Sequence, residues 1–258
     1  EIGNEQGMLM VDAIFGFYGL IDSKVKKSSS RIGTQFNKFV EKLSAYLQTC
    51  EAEKVFSFLQ QFTLRLKQNG KGLNIVLNLI YKTAPVLTKE AHASLLKLYL
   101  NIVSKNDLTE PELMQLLLYV IQHDLLTELH SDLPYTLFYN EYNILFLNQL
   151  QLIGETDKVI SLCEKSIKGN YHEVYSIPYY QILVNLYQQR SMPNEALIYR
   201  KKIFAYSPSY LLYQEIYNDL ATNSQKESFR KELLGRGIRR DSADYAMQLA
   251  TYSGVEQQ

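Results

Sequence analysis

The sequence predicts an all-α protein, and three observations carry that. Apolar residues recur at the 3.6-residue spacing of a single helix face in almost every segment. No run alternates, or pairs across a tight turn, as a strand or hairpin does. Caps and Gly or Pro stops punctuate the chain at intervals that give about twelve helices.

Composition sets the bounds. The 258 residues are enough for one sizeable core or one extended helical array. The 27 basic and 27 acidic residues balance, so no global field draws the chain to nucleic acid or to an acidic membrane. Cys50 and Cys163 both fall inside apolar helical patterns. They read as small buried hydrophobes in a reducing, cytoplasmic setting, with no disulfide framework. The chain opens on Glu1, which predicts an excised or processed piece of a longer protein. The early apolar run Met8 to Ile21 is broken by Asp12 and two glycines and falls short of the ~20 residues of a membrane span. It lacks the flanks of a signal peptide and predicts a buried helix, with no membrane partner.

After a polar, basic connection from Ser23 to Arg31, the next helix carries Ile32, Phe36, Phe39, Val40, Leu43 and Leu47 on one face. Thr49 is the expected cap of the following helix, which buries Val55, Phe56, Leu59 and Phe62 and stops at Asn69-Gly70. A shorter helix from Leu73 to about Lys82 ends before Pro85. Thr88 opens a helix striped by Leu95, Leu98, Tyr99 and Ile102. Thr109-Glu110-Pro111-Glu112 is a capping box with proline in the first turn, so a helix is expected from Pro111 to about Leu126. Asp132 and Pro134 are expected to start a longer one, to about Leu152.

The stretch Tyr180 to Pro208 is more specific. Tyr180, Leu183 and Tyr187 mark a first helix, Ala196 a small position where a second helix crosses it, and Ile203 and Pro208 complete the pattern. These residues resemble the roughly 34-residue tetratricopeptide repeat, in which two helices cross closely only over a small residue. Asn143 to Ile167 fits the same frame through Phe146, Leu150, Gly154, Val159 and Cys163, with a short insertion at Asn170 to Val174. A third unit places Tyr213, Ile216 and Leu220 on its first helix, and a capping box Ser224-Gln225-Lys226-Glu227 before Phe229 and Leu233; aligning it requires a one-residue shift. A last helix is expected from Ser242 to Tyr252, ending at Gly254. The resemblance implies antiparallel helix pairs stacked as a right-handed superhelical solenoid over 132–258. Residues 1–131 form an irregular all-α region, degenerate repeats or a cap, continuous with it.

Catalytic constellations are absent from the pattern, which predicts a non-enzyme with no cofactor and no metal. His92, His123, His130 and His172 are scattered, with no pair at helical zinc spacing. Gly235-Arg236-Gly237-Ile238-Arg239-Arg240 reads as a solvated interhelical turn that could hold a phosphate. Lys24, Lys26 and Lys27 form a basic patch without interleaved aromatics. Of the 20 tyrosines, 13 lie from Tyr135 to Tyr217, a density that suits helix interfaces or a binding groove. Tyr180 and Tyr187 belong to the repeat pattern; Tyr139, Tyr179, Tyr206 and Tyr210 do not.

The polar residues that repeat are amides. In the repeat frame, Asn148, Asn185 and Asn218 share the ninth position of successive first helices. Gln181 and Gln214 stand at the fifth, where the first unit has Ile144, and Gln151 and Gln188 at the twelfth. The resemblance implies that these positions face a concave groove. An amide both donates and accepts, so a ladder of them can pair with successive peptide units of an extended ligand. This is similar to the asparagine ladders of some peptide-binding tetratricopeptide-type proteins. The chain departs from the carboxylate-clamp type, which needs lysine and arginine where Ile144, Gln181 and Gln214 stand. The expected function is a non-catalytic protein- or peptide-binding scaffold or receptor. Three alternatives stand beside it: a structural or oligomerisation segment binding other domains of the same chain, the sensor half of a peptide-responsive transcription regulator, and a nucleic-acid-binding helical repeat. The balanced charge argues against the last.

Overall fold

A computed structural model describes residues 30–69, 73–103, 108–136, 139–170 and 172–239. Among these, twelve α-helices and two short 3-10 turns account for the regular structure, and there is no strand. The helices are α1 Ser30–Leu47, α2 Ala52–Asn69, α3 Leu73–Thr83, α4 Lys89–Ile102, α5 Glu110–Gln122 and α6 Leu126–Leu129, followed by α7 Asn140–Leu152, α8 Thr156–Gly169, α9 Ile177–Gln189, α10 Pro193–Tyr206, α11 Tyr210–Asp219 and α12 Asn223–Arg239. The chain divides between Tyr142 and Asn143 into two compact units. The expected helices at Met8–Ile21 and Ser242–Tyr252, and the lysines at 24, 26 and 27, lie outside the described residues.

In the first unit most of the described stripe residues are core, while Phe39, Leu98 and Ile102 are half-buried and the side chains of Ile32 and Phe36 lie outside the described residues. Val40, Leu43 and Leu47 of α1, Val55, Leu59 and Phe62 of α2, and Leu95 and Tyr99 of α4 are all buried. Phe58 joins them, its ring stacked on Phe62 at 5.8 Å, whereas Phe56 is half-exposed. Each such side chain contributes about 1.5–3 kcal/mol by leaving water. Helix α1 packs on α3, α2 on α3 and α4, and both α4 and α5 on α6.

Caps decide the boundaries, and several differ from expectation. Thr88 caps α4, accepting from the Ala91 N–H at 3.3 Å. The box before α5 forms, with the Thr109 N–H donating to the Glu112 carboxylate at 2.8 Å. Thr49, by contrast, does not cap α2. Its hydroxyl donates back to the Tyr46 carbonyl at 2.7 Å and closes α1, so the Glu51 carbonyl receives the first N–H groups of α2. Cys50 therefore sits on this turn and not within a helix. Pro85 lies in the 3-10 turn Ala84–Val86. Helix α5 ends at Gln122, four residues short of expectation, because the chain reverses at Asp124. Asp132 and Pro134 start no helix: the Asp132 and Leu133 N–H groups bond back to Leu129, and the Pro134 carbonyl accepts the buried Tyr142 hydroxyl at 2.7 Å. The box before α12 forms two residues earlier than predicted, between Thr222 and Gln225. The Thr222 N–H donates to the Gln225 side chain at 3.1 Å and the Gln225 N–H to the Thr222 hydroxyl at 3.2 Å. Helix α12 then continues through Gly235 and Gly237 to Arg239, so the expected turn there is helical backbone.

One turn geometry recurs. Asp124, Gly154 and Ser191 adopt positive φ (54°, 86° and 56°) after α5, α7 and α9. At each, the next N–H bonds to the carbonyl five residues back: Leu125 to Val120, Glu155 to Leu150 and Met192 to Tyr187, at 2.8–3.0 Å. The residue of positive φ itself bonds three back, to Ile121, Gln151 and Gln188, at 3.0–3.1 Å. These paired bonds are the Schellman closure, which satisfies the last carbonyls of a helix and turns the chain sharply. Glycine adopts that conformation without strain, and a short polar side chain tolerates it.

In the second unit, α8 packs on α9, α9 lies along α10, and α10 on α11. Only three residues separate α9 from α10, and among the described residues the pair makes the most extensive helix contact, so the two run antiparallel. Ala196 is fully buried on α10 and Leu183 is fully buried on α9. Tyr180, Val184 and Ile203 form one cluster; Phe204, Tyr213, Ile216, Leu220, Phe229 and Leu233 form a second that joins α10, α11 and α12.

Candidate functional site

The predicted amide positions can be placed from the turns that follow them. Asn148 stands six residues before Gly154 and Asn185 six before Ser191, so both occupy the same place relative to the same closure. Gln151 and Gln188 stand three before it. The corresponding residue before Asp124 is Leu118, which is exposed, so the amide pattern does not extend to α5. Among the described residues, none of positive φ follows α11, so the third unit does not close with the turn shared by the other two.

Gln181, Asn185 and Gln188 recur at i, i+4 and i+7 on one face of α9, and all three are exposed. They form one wall of a groove of about 530 Å³. Its apolar floor is Val184 and Ile203, and its other side is the α10–α11 connection with Ser207 and Ser209, followed by Leu211, Leu212 and Glu215 of α11. Ser209 accepts the Leu212 N–H at 3.2 Å and fixes the start of α11. Among the described residues, none of the three amides meets a protein hydrogen-bonding partner, so their donors and acceptors are presented to solvent.

The remaining candidates do not line this groove. Asn148 is exposed on α7, and Gln151 donates to the Gln189 side chain at 3.1 Å. Gln214 donates to the Tyr210 hydroxyl at 2.8 Å. Asn218 shares the α11 face of Leu211 and Glu215, one turn beyond the groove.

Sequence reasoning missed the charged corner of the groove. Arg200 is only 8% exposed, yet it lines the groove on α10. Its Nε lies 3.6 Å from Glu215 Oε2, and its Nη1 donates to Asp219. Local spacing carries no signal for this cluster, because the partners come from the next helix.

The tyrosines serve mainly as structure. Tyr142, Tyr179, Tyr180 and Tyr213 are fully buried, which settles Tyr179 as core, and Tyr187 stacks on Tyr199 with centroids 5.9 Å apart. Desolvation raises the Tyr180 and Tyr187 hydroxyls above their ordinary range and pushes Tyr199 up to about 12. Tyr206 and Tyr210 are exposed; Tyr206 donates to Glu173. Among the described residues, no tyrosine lines the groove.

A second assembly of titratable groups lies in the first unit. His92 of α4, Tyr119 of α5 and His123 just after it come together with Tyr81 of α3. The His92 Nε2 is 2.8 Å from the Tyr119 hydroxyl, His92 and His123 meet edge to face at 5.4 Å, and Tyr81 stacks on Tyr119 at 3.8 Å. Desolvation, then repulsion from His123, lowers His92 to about 4. Burial raises Tyr81 and Tyr119 and pushes Tyr99 up to about 12. His92 and His123 were scattered in sequence because 31 positions and a helix boundary separate them. Among the described residues, no group of three or more His, Cys, Asp or Glu side chains is placed to hold a metal ion, and no helix is long and apolar enough to cross a membrane.

No model of a known protein family matches this chain, and no curated protein matches it.

Proposed function

We propose that this chain is a non-catalytic binding module whose second unit takes an extended peptide or protein segment in the groove of α9, α10 and α11. The observation that carries the reading is the row Gln181, Asn185 and Gln188, three unengaged amides on one wall of a concave surface with an apolar floor. Each amide can donate to and accept from one peptide unit, while Val184 and Ile203 offer a surface for side chains. The repeated Schellman turns support a tetratricopeptide-like stacking of helix pairs, since they set Asn148 and Asn185 at equivalent places.

The test is an arrayed library of random peptides probed with labelled wild type and with Asn185→Ala/Gln188→Ala. These positions are exposed, so each substitution changes stability by no more than about 0.5 kcal/mol. Losing two hydrogen bonds of ~1 kcal/mol each from Asn185 alone weakens a bound peptide by roughly thirtyfold, and the double variant by more. Peptides held by the wild type and released by the variant support the groove. Equal retention by both moves the binding surface elsewhere, and a library with no binders favours the structural-segment reading.

A further inference from the structure

The charge at the groove's corner selects among peptides. We propose that the segment bound there carries a lysine or arginine side chain and that Glu215 receives it; this rests on the peptide-binding reading above. Among the described residues lining the groove, two are charged, Arg200 and Glu215. Arg200 is buried and held between Glu215 and Asp219. One guanidinium against two carboxylates leaves the cluster with one negative charge in excess. Arg200 Nη1 is taken by Asp219, and its Nε has no hydrogen-bond partner, lying 3.6 Å from Glu215. With two carboxylates against one cation, an anionic group entering the corner meets net negative charge, and among the described residues of the lining there is no second cation to answer it.

Glu215 is the accessible member. Its side chain is 45% exposed, and the 3.6 Å separation from the Arg200 Nε is a loose contact that leaves acceptor sites on the carboxylate open to the groove. The nearest lysines on α10 are turned to other uses: Lys202 lies over the rings of Tyr180 and Tyr199 at 5.3 and 5.9 Å, and Lys201 over Phe229 at 5.4 Å. The rest of the polar lining is neutral amide and hydroxyl, suited to a peptide main chain. A phosphate backbone is disfavoured at this surface, because its affinity comes from free Lys and Arg contacts that the lining does not offer.

The experiment uses the full chain and four pools of N-acetylated, C-amidated octapeptides, random in Ala, Ser, Leu and Gln. Each pool carries one Lys, one Arg, one Glu or one citrulline, the last a neutral isostere of arginine. Fluorescence anisotropy is read for wild type, Glu215→Gln and Asn185→Ala. The expected result is at least about tenfold tighter binding of the Lys and Arg pools than of the citrulline and Glu pools. That preference disappears in Glu215→Gln and shrinks as salt rises from about 0.05 to 0.5 M. Asp219 still pairs with Arg200 in this variant, and circular dichroism checks that it is folded. Equal binding of all four pools, lost in Asn185→Ala, overturns the cation assignment while the peptide groove stands. Preference for the Glu pool overturns the assignment too, and no binding by any pool overturns both.

Discussion

His92 sits 4% exposed between helices, bonded to Tyr119 and edge-on to His123, with Tyr81 stacked behind Tyr119. Acidification should destabilise this part of the first unit. The folded protein holds His92 at about 4, below the ordinary 6.5 that it regains on unfolding. The unfolded chain therefore takes up the proton first as pH falls, and the stability contributed by neutral His92 is full above pH 6.5 and lost progressively down to pH 4. A difference of about 2.5 pH units corresponds to about 3 kcal/mol, of which about 2.5 kcal/mol is gone by pH ~4.5. Because the group is almost fully buried, solvent screening removes little of this. Tyr81, Tyr99 and Tyr119 stay neutral across the window, and His123 is present in both proteins compared. The assay is urea unfolding of wild type and His92→Gln at pH about 7.5 and 4.5; with an m value of about 2 kcal/mol/M, the wild-type midpoint falls about 1 M further than the variant's. Glutamine can still accept from Tyr119, so the comparison isolates the charge. Equal midpoint losses in the two proteins would refute the reasoning.

Ala196→Leu forces extra volume into the α9–α10 crossing and should cost about 1–3 kcal/mol, seen as a thermal midpoint lower by several degrees; an unchanged midpoint means that the helices do not meet there. Thr222→Ala should destabilise by about 1 kcal/mol in chemical denaturation, and Ser224→Ala by less than about 0.5 kcal/mol; the reverse order would restore the box predicted from sequence. Cys163 is fully buried, and burial followed by Glu164 pushes its thiol up to about 12, whereas Cys50 is partly exposed on a turn. Iodoacetamide should therefore label Cys50 in the native protein and Cys163 only after unfolding, as peptide mass mapping would read; native labelling of Cys163 contradicts the core described around it.

The helices were legible because their causes are local. The stripe Val40–Leu43–Leu47, the Thr88 cap and the Thr109–Glu112 box each act within a few residues, and all three stand in the structure. Errors arose where two local bonds competed for one group. Thr49 could have opened α2 but closes α1, and the residues of the Ser224 box lie inside a helix that Thr222 had already begun. The amide row was half legible. Gln181, Asn185 and Gln188 share a helix face by spacing alone, but whether another helix faces them was not written in that spacing.

By itself, then, the amino-acid order determined the helical content, most helix ends, the burial of Ala196 and the amide face of α9. Tertiary structure decided that α11 brings Leu211 and Glu215 to that face, that Arg200 is buried between Glu215 and Asp219, and that His92 meets His123. The division has one physical cause. Helix periodicity and capping depend on neighbours within about five residues, whereas these encounters depend on how whole helices pack, which no short stretch of sequence encodes.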